Sequence, residues 1–451
     1  MRRILGAGLG LTLLTASCSW SRFDDVTKDS PVVELKRPKH LSSGFGASVF
    51  TQAVDGSNVA LVSGTPGVSF AALFELGDAD RPNLDAVNGS ICRSDDTMTC
   101  FLSSSPVGVP AAALDGVDAD ARCFATGLGS VRTDKGAQLR GLLFECEGED
   151  GIVVSSRELP EGSSTALEEA IEKLTPLVVA LATDRADAPA LVAGIGSERV
   201  AWVYPSGSEA PLELVVGDRP DRSYGQRVAA LQVGDASLFV VAAPDAGHVY
   251  VFTLNEGAPS YLGCLGGVAG FGRSLAVGAV SDERSQELLI ADPSKVRVFD
   301  AQALLALDEV DTSDCDADSL PSGVLRLTLR CEETGDLSNC EGSEFGAGLA
   351  VADLDGDGDG EVVVGAPRIK VRDVAEAGAL LVYDAEGDDE EALLEARFSS
   401  ASESADFLGS SVAAVSVDGR DVLLAGAPGK GKATLFYCSS LTPAGASARC
   451  Q

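Results

Sequence analysis

The stretch FGAGLAVADLDGDGDGEVVVGAP, residues 345–367, decides the fold. An aromatic-Gly step opens it, an apolar run follows, and a polar loop leads into a second apolar run that stops at Gly-Ala-Pro. GALLVYDA, residues 378–385, comes next. Short runs rich in Val, Leu and Tyr, bounded by turn residues, are strands. The same unit recurs as LGSSVAAVSVDGRDVLLAGAP (408–428) before KATLFYC, and as YGQRVAALQVGDASLFVVAAP (224–244) before HVYVFTL. Further copies begin at Phe45 and Phe271, and worn ones near Val107 and Thr175, which makes seven. The units start near 42, 107, 174, 221, 267, 342 and 403 and occupy residues 31–441.

Each unit supplies three strong strands, and six of the seven carry a fourth, weaker run, such as GIVVSSREL at 151–159. A four-stranded antiparallel sheet with two apolar faces must stack on copies of itself. Radial repetition of such sheets is a β-propeller. The expected fold is therefore all-β, a single propeller of seven four-stranded blades. The Gly-Ala positions suit crowded inner strands, and the following Pro ends the ladder. A repeat of about 60 residues is too short for separate sandwiches of ~100 residues. The seventh unit lacks a fourth run, while Pro31–Leu35 before the first unit has no partner in the scheme. An open ring would expose a strand edge, so residues 32–35 are expected to pair with 433–438 and close it. Residues 442–451 form a tail. Thr165 to Glu168 is a capping box, which predicts a helix over ALEEAIEKL.

The Phe-Gly start, the Asp-rich loop and the Gly-Ala-Pro end resemble the FG-GAP repeat of the integrin α-chain propeller. The resemblance covers nearly all of the chain after residue 31, with residues 345–367 its most specific copy. It implies a seven-bladed propeller and a protein-binding face. Within that copy, Asp353, Asp355, Asp357, Asp359 and Glu361 alternate with small residues. Several carboxylates aimed at one centre suit Ca²⁺, which takes six to eight hard oxygen ligands. An EF-hand is excluded, because its twelfth place, which needs Glu, holds Val364 and the flanks are strand-like. The resemblance implies instead the β-hairpin Ca²⁺ loop of these blades. It would use the side chains of Asp353, Asp355, Asp357 and Glu361 and the carbonyl of Asp359, with Glu361 standing where the family has Asp. Equivalent loops in the first, fifth and seventh units have lost the acids, so one ion per chain is expected.

Composition narrows the partners. The chain has 451 residues, 45% hydrophobic, with 50 glycines and a net charge of −34. So acidic a surface repels phosphate backbones, which excludes nucleic acid as a partner. Only His40 and His248 are available for histidine chemistry, and neither sits in a catalytic arrangement. His248 is expected to be packed or at an edge. Arg2 and Arg3 precede an uncharged apolar run, 4–16, too short to span a bilayer. Small residues then lead to Cys18, as in a bacterial lipobox. Residues 1–17 read as a lipoprotein signal, Cys18 as the lipidated residue, and 18–30 as a tether. No later segment is long and apolar enough to cross a membrane as a helix. Ten cysteines remain: Cys92, Cys100, Cys123, Cys146, Cys264, Cys315, Cys331, Cys340, Cys438 and Cys450. An even set in an exported chain suggests disulfides, although sequence does not fix their connectivity. Local spacing suggests Cys92–Cys100, Cys123–Cys146, Cys331–Cys340 and Cys438–Cys450, leaving Cys264 with Cys315. The Asn88-Gly-Ser90 sequon has no role in this context.

These readings converge on a monomeric, calcium-stabilised, lipid-anchored propeller of the cell envelope. It would sit at the outer membrane or cell surface and bind an unknown protein or surface ligand. A periplasmic scaffold in envelope assembly and an accessory domain of an extracellular hydrolase are the alternatives. No nucleophile elbow or paired acid–base motif marks the chain as an enzyme.

Overall fold

The computed structural model describes residues 32–35, 37, 44–54, 57–63, 71–76, 98–110, 122–133, 136–148, 151–157, 178–185, 188–205, 211–217, 220–255, 257–280, 286–307, 315, 323–333, 337–354, 358–384, 393–399, 405–417 and 420–437. Most of them are strands in antiparallel sheets. The capping box at Thr165, the sequon and Cys18, Cys92, Cys438 and Cys450 lie outside the described residues.

The first sheet holds β2 (Ser48–Val54), β3 (Ser57–Ser63) and β4 (Ala71–Leu76), three strands among the described residues. The second sheet runs β5 (Met98–Pro110), β6 (Arg122–Thr133), β7 (Gly136–Gly148) and β8 (Gly151–Arg157). The third comprises β9 (Val178–Arg185), β10 (Ala188–Ile195), β11 (Val200–Tyr204) and the short β12 (Leu212–Glu213). In the fourth stand β13 (Arg227–Val233), β14 (Ala236–Ala243), β15 (His248–Asn255) and β16 (Ala258–Gly266). The fifth has β17 (Ser274–Gly278), β18 (Glu287–Ala291), β19 (Lys295–Asp300) and β20 (Leu325–Arg330). A short helix, α1 (Ala301–Leu305), follows β19 with Asp300 as its N-cap; the sequence reading did not foresee it.

β21 (Leu337–Ser338) pairs with β24 (Lys370–Val371) in a two-stranded ribbon beside the sixth sheet. That sheet is β22 (Leu349–Ala352), β23 (Glu361–Ala366), β25 (Ala379–Asp384) and β26 (Leu393–Ser399). The last holds β27 (Ser411–Val417), β28 (Arg420–Ala427) and β29 (Lys432–Tyr437). Its outermost strand is β1, Val32–Leu35, from the other end of the chain. Val32 lies opposite Phe436 and Leu35 opposite Ala433, the pairing expected for this segment. Leu35 is buried with Phe45, Val62, Leu424 and Leu435.

The repeated residues explain the stacking. The aromatic opening each unit is fully buried at Phe45, Tyr224, Phe271 and Phe345. The next residue, at Gly46, Gly225, Gly272, Gly346 and Gly409, has φ between +83° and +92°, the left-handed region that favours glycine. At the last four of these its N–H donates to the carbonyl of the small residue at the end of its own second strand, as in Gly346 to Gly365 at 2.9 Å and Gly409 to Gly426 at 3.0 Å. That small residue in turn abuts the glycine of the next sheet. A Cβ on Gly194 would meet the Gly225 oxygen at 2.4 Å, and one on Gly365 the Gly409 oxygen at 2.0 Å. One on Gly426 would meet the Gly46 oxygen at 1.8 Å, so the last sheet packs on the first as the sixth packs on the last. Between these seams lie continuous apolar clusters, such as Leu289, Val298, Phe345, Val364 and Tyr383 between the fifth and sixth sheets.

Two of the expected disulfides are formed among the described side chains, Cys264–Cys315 and Cys331–Cys340. The first ties β16 of the fourth sheet to the acidic segment before β20. Cys123 and Cys146 are directly opposite in the register of β6 and β7.

Candidate functional site

The acidic loop joins β22 to β23. Asp353, Leu354, Asp359 and Glu361 are described there, whereas Asp355 and Asp357 lie outside the described residues. Among the described residues no three His, Cys, Asp or Glu side chains are grouped to hold a metal. The structure instead shows how the loop is gripped at its entrance. Glu361, first residue of β23, is buried, and its Oε2 accepts from the Leu354 N–H at 2.7 Å. One residue earlier, the Asp353 N–H donates to Oδ2 of Asp421, in β28 of the neighbouring sheet, at 2.8 Å. Asp421 returns the contact, its own N–H donating to the Asp353 carbonyl at 3.1 Å. Two consecutive backbone N–H groups are thus each received by a carboxylate, one from within the loop and one from across the seam. Gly358, at φ +101° with open space around it, lets the chain reverse.

Neither grip is peculiar to this loop. In the fifth sheet Glu287 opens β18 and its Oε2 accepts from the Val280 N–H at 2.7 Å. Glu287 and Glu361 each stand six residues before the proline that ends the unit and seven after the amide they receive. Glu287 is further paired with Arg326, which occupies a bulge in β20 opposite Val298 and Phe299. The corresponding bulge in β26, opposite Val382 and Tyr383, holds Glu395. The contact across the seam also recurs: the Gln232 N–H donates to Oε1 of Gln286 at 2.8 Å. Gln286, Gly360 and Asp421 each stand seven residues before the unit's proline. The sequence reading passed over Asp421; aligning the units on that proline would have found it.

The donor set fits a hard cation. It is made only of oxygen, and five carboxylates within nine residues, with a sixth from Asp421 at the loop's first residue, gather negative charge that a cation relieves. Asp353, Asp355, Asp357, Glu361 and the Asp359 carbonyl would hold it, and the ion would supply charge balance and rigidity.

A second polar cluster lies at the far ends of β14 and β15. His248 Nδ1 is 2.5 Å from Oδ2 of Asp221, and the Tyr250 hydroxyl donates to the same oxygen at 2.5 Å. Burial, then the bond to Asp221, pushes the Tyr250 phenol well above its ordinary range. His248 and Asp221 are about a third exposed, so His248 sits at an edge, as expected, tied to the segment that leads into β13.

Similarity to known proteins is local in sequence. A protein of unknown function from Desulfotomaculum acetoxidans is 12% identical, with 78% of this chain and 85% of that chain covered and a TM-score of 0.39. The β-propeller domain of Cps50 (Swd1) from Myceliophteria thermophila is 9% identical, with 88% and 99% covered and a TM-score of 0.44. No curated protein is similar to the chain. Residues 345–383, which carry the acidic loop and strands β22, β23 and β25, match the FG-GAP repeat.

Proposed function

We propose that this chain is a protein-binding module of the cell envelope, a seven-bladed propeller closed by its N-terminal strand and stiffened by one Ca²⁺. The FG-GAP match at residues 345–383, with its all-oxygen loop, carries the reading. Calcium stiffens a blade rather than taking part in a reaction, and the chain is not an enzyme. Lipidation at Cys18 anchors it, with residues 19–30 as tether, at the outer membrane or cell surface. Isothermal titration of Ca²⁺ into the full chain tests the site. One ion is expected, with a Kd of about 10⁻⁴–10⁻³ M, typical of extracellular modules. Asp355→Ala with Asp357→Ala abolishes uptake and lowers Tm only when calcium is present. No uptake by the unaltered chain removes the calcium reading.

Ring closure has its own test. β1 contributes buried Leu35 and pairs Glu34 with Lys432 at 3.1 Å. Deleting residues 19–37 destabilises the whole domain, because the last sheet loses its outer strand and exposes an edge. Deleting 19–29 leaves the melting temperature unchanged. Equal melting of the two deletions would rule closure out. Cross-linking and pull-down from envelope extract, compared with protease accessibility on intact cells, then identifies the ligand and the side of the envelope.

A further inference from the structure

We infer that Asp421 is a positioning residue for the loop of the preceding sheet, so that calcium affinity and the seam between the last two sheets are one coupled quantity. This inference rests on the calcium reading above. Three seams can be compared at the same rung. Between the fourth and fifth sheets it is neutral, Gln286 holding the Gln232 N–H. Between the fifth and sixth it has no side chain, since Gly360 lies so close to Ala279 that a Cβ would meet its carbonyl oxygen at 2.3 Å. Between the sixth and seventh it is Asp421, and the residue it holds is Asp353, the first place of the acidic loop.

The hold is double. Asp353 gives its N–H to the Asp421 carboxylate and its carbonyl accepts from the Asp421 N–H. Both backbone groups of one candidate ligand are therefore fixed by the neighbouring sheet. Leu354, next in sequence, is fixed by Glu361 from within the loop. An ion drawing Asp353 toward Glu361 would pull on a residue anchored across the seam. By linkage, whatever tightens the seam raises calcium affinity and calcium tightens the seam by the same factor. Groups that orient metal ligands commonly change affinity 10–100-fold when removed.

The test titrates Ca²⁺ into the full chain and three variants. Asp421→Ala removes the acceptor and weakens binding about ten-fold or more. Asp421→Asn keeps an oxygen for the Asp353 N–H and stays within about three-fold of the unaltered chain, which separates the bond from the charge. Gln286→Ala removes the same rung at another seam and leaves affinity unchanged. Hydrogen exchange at the Asp353 amide, measured in the unaltered chain with and without Ca²⁺, reads the coupling without any substitution and slows on binding. Unchanged affinity in Asp421→Ala, an equal loss in Asp421→Asn or in Gln286→Ala, or exchange indifferent to calcium overturns the inference while the calcium reading stands. If the unaltered chain takes up no calcium, both fall.

Discussion

The fifth and sixth sheets build the same hairpin from different residues. Each opens its second strand with a buried glutamate that turns back onto a backbone N–H of the hairpin loop, Glu287 onto Val280 and Glu361 onto Leu354, both at 2.7 Å. The brace therefore belongs to the repeat, and a carboxylate at this place is not by itself a sign of metal binding. The surroundings differ. The fifth sheet places Arg326 against Glu287 from the bulge in β20. The sixth has Glu395 at that bulge and four aspartates in the loop. The fifth hairpin sets an arginine against its buried acid, whereas the loop of the sixth carries four aspartates. The proposed calcium reading predicts that the two braces respond differently to added ion.

Removing the two braces separates these cases most sharply. Glu287→Ala leaves the Val280 N–H without its acceptor and Arg326 without its partner. Breaking a buried pair from one side costs about 3–5 kcal/mol; Arg326 is partly exposed, so about 2–3 kcal/mol is expected here. The loss is the same with and without calcium. Glu361→Ala leaves Leu354 without its acceptor but also thins the acidic loop, so about 1–2 kcal/mol is expected in calcium-free buffer. The cost grows when calcium is added to the unaltered chain and the variant alike, because only the former gains binding energy. Urea unfolding of both variants with calcium and with chelator makes the comparison. A calcium-dependent penalty for Glu287→Ala would erase the distinction.

A smaller effect is expected at the rung beside the brace. The fifth sheet carries Gln286 there and the sixth Gly360. A Cβ at Gly360 would meet the Ala279 oxygen at 2.3 Å and Cγ1 of Val351 at 2.4 Å. Gly360→Ala must push a backbone carbonyl, at about 1–3 kcal/mol. Thermal unfolding reads this directly, and a variant as stable as the original shows the seam to be looser than these distances state.

Much of this was legible beforehand because a repeat writes its rules several times. The Gly-Ala end marked a crowded place, where contact with the next sheet's backbone excludes larger side chains, whereas the left-handed glycine of the aromatic-Gly step emerges only in the structure. Pairing of residues 32–35 with the last strand followed from counting strands per unit. Cys331–Cys340 followed from spacing and Cys264–Cys315 as the pair left over. Other features were illegible for physical reasons. α1 is a single turn and a half after β19, too short for apolar periodicity to show. The ribbon of β21 and β24 has two residues per strand and no pattern of its own. Asp421 drew no notice, because its role depends on which sheet lies next to it. Glu361 was read as a ligand alone; its duty as a brace emerges only beside Glu287.

The smallest difference between the two sheets is a hydroxyl. Phe299 in β19 and Tyr383 in β25 occupy the same place, opposite Leu288 and Val362 respectively. Both rings are buried, and the Tyr383 hydroxyl donates to the Arg330 carbonyl at 2.7 Å, tying the sixth sheet to the end of the fifth. Tyr383→Phe gives the sixth sheet the fifth's residue and costs about 1 kcal/mol, the net worth of one hydrogen bond. Its pH dependence is more telling. Burial, and secondarily the nearby charge of Glu332, push the Tyr383 phenol well above its ordinary value. In the unfolded chain a tyrosine loses its proton near pH 10, while the folded chain keeps this one. Stability from this group is therefore fully present below about pH 10 and is lost as pH rises beyond it. The Phe variant has no such proton to keep. Urea midpoints at neutral pH and at about pH 11 should accordingly fall less in Tyr383→Phe than in the unaltered chain. An equal fall in both would mean that the Tyr383 hydroxyl ionises as freely in the folded sheet as in the unfolded chain.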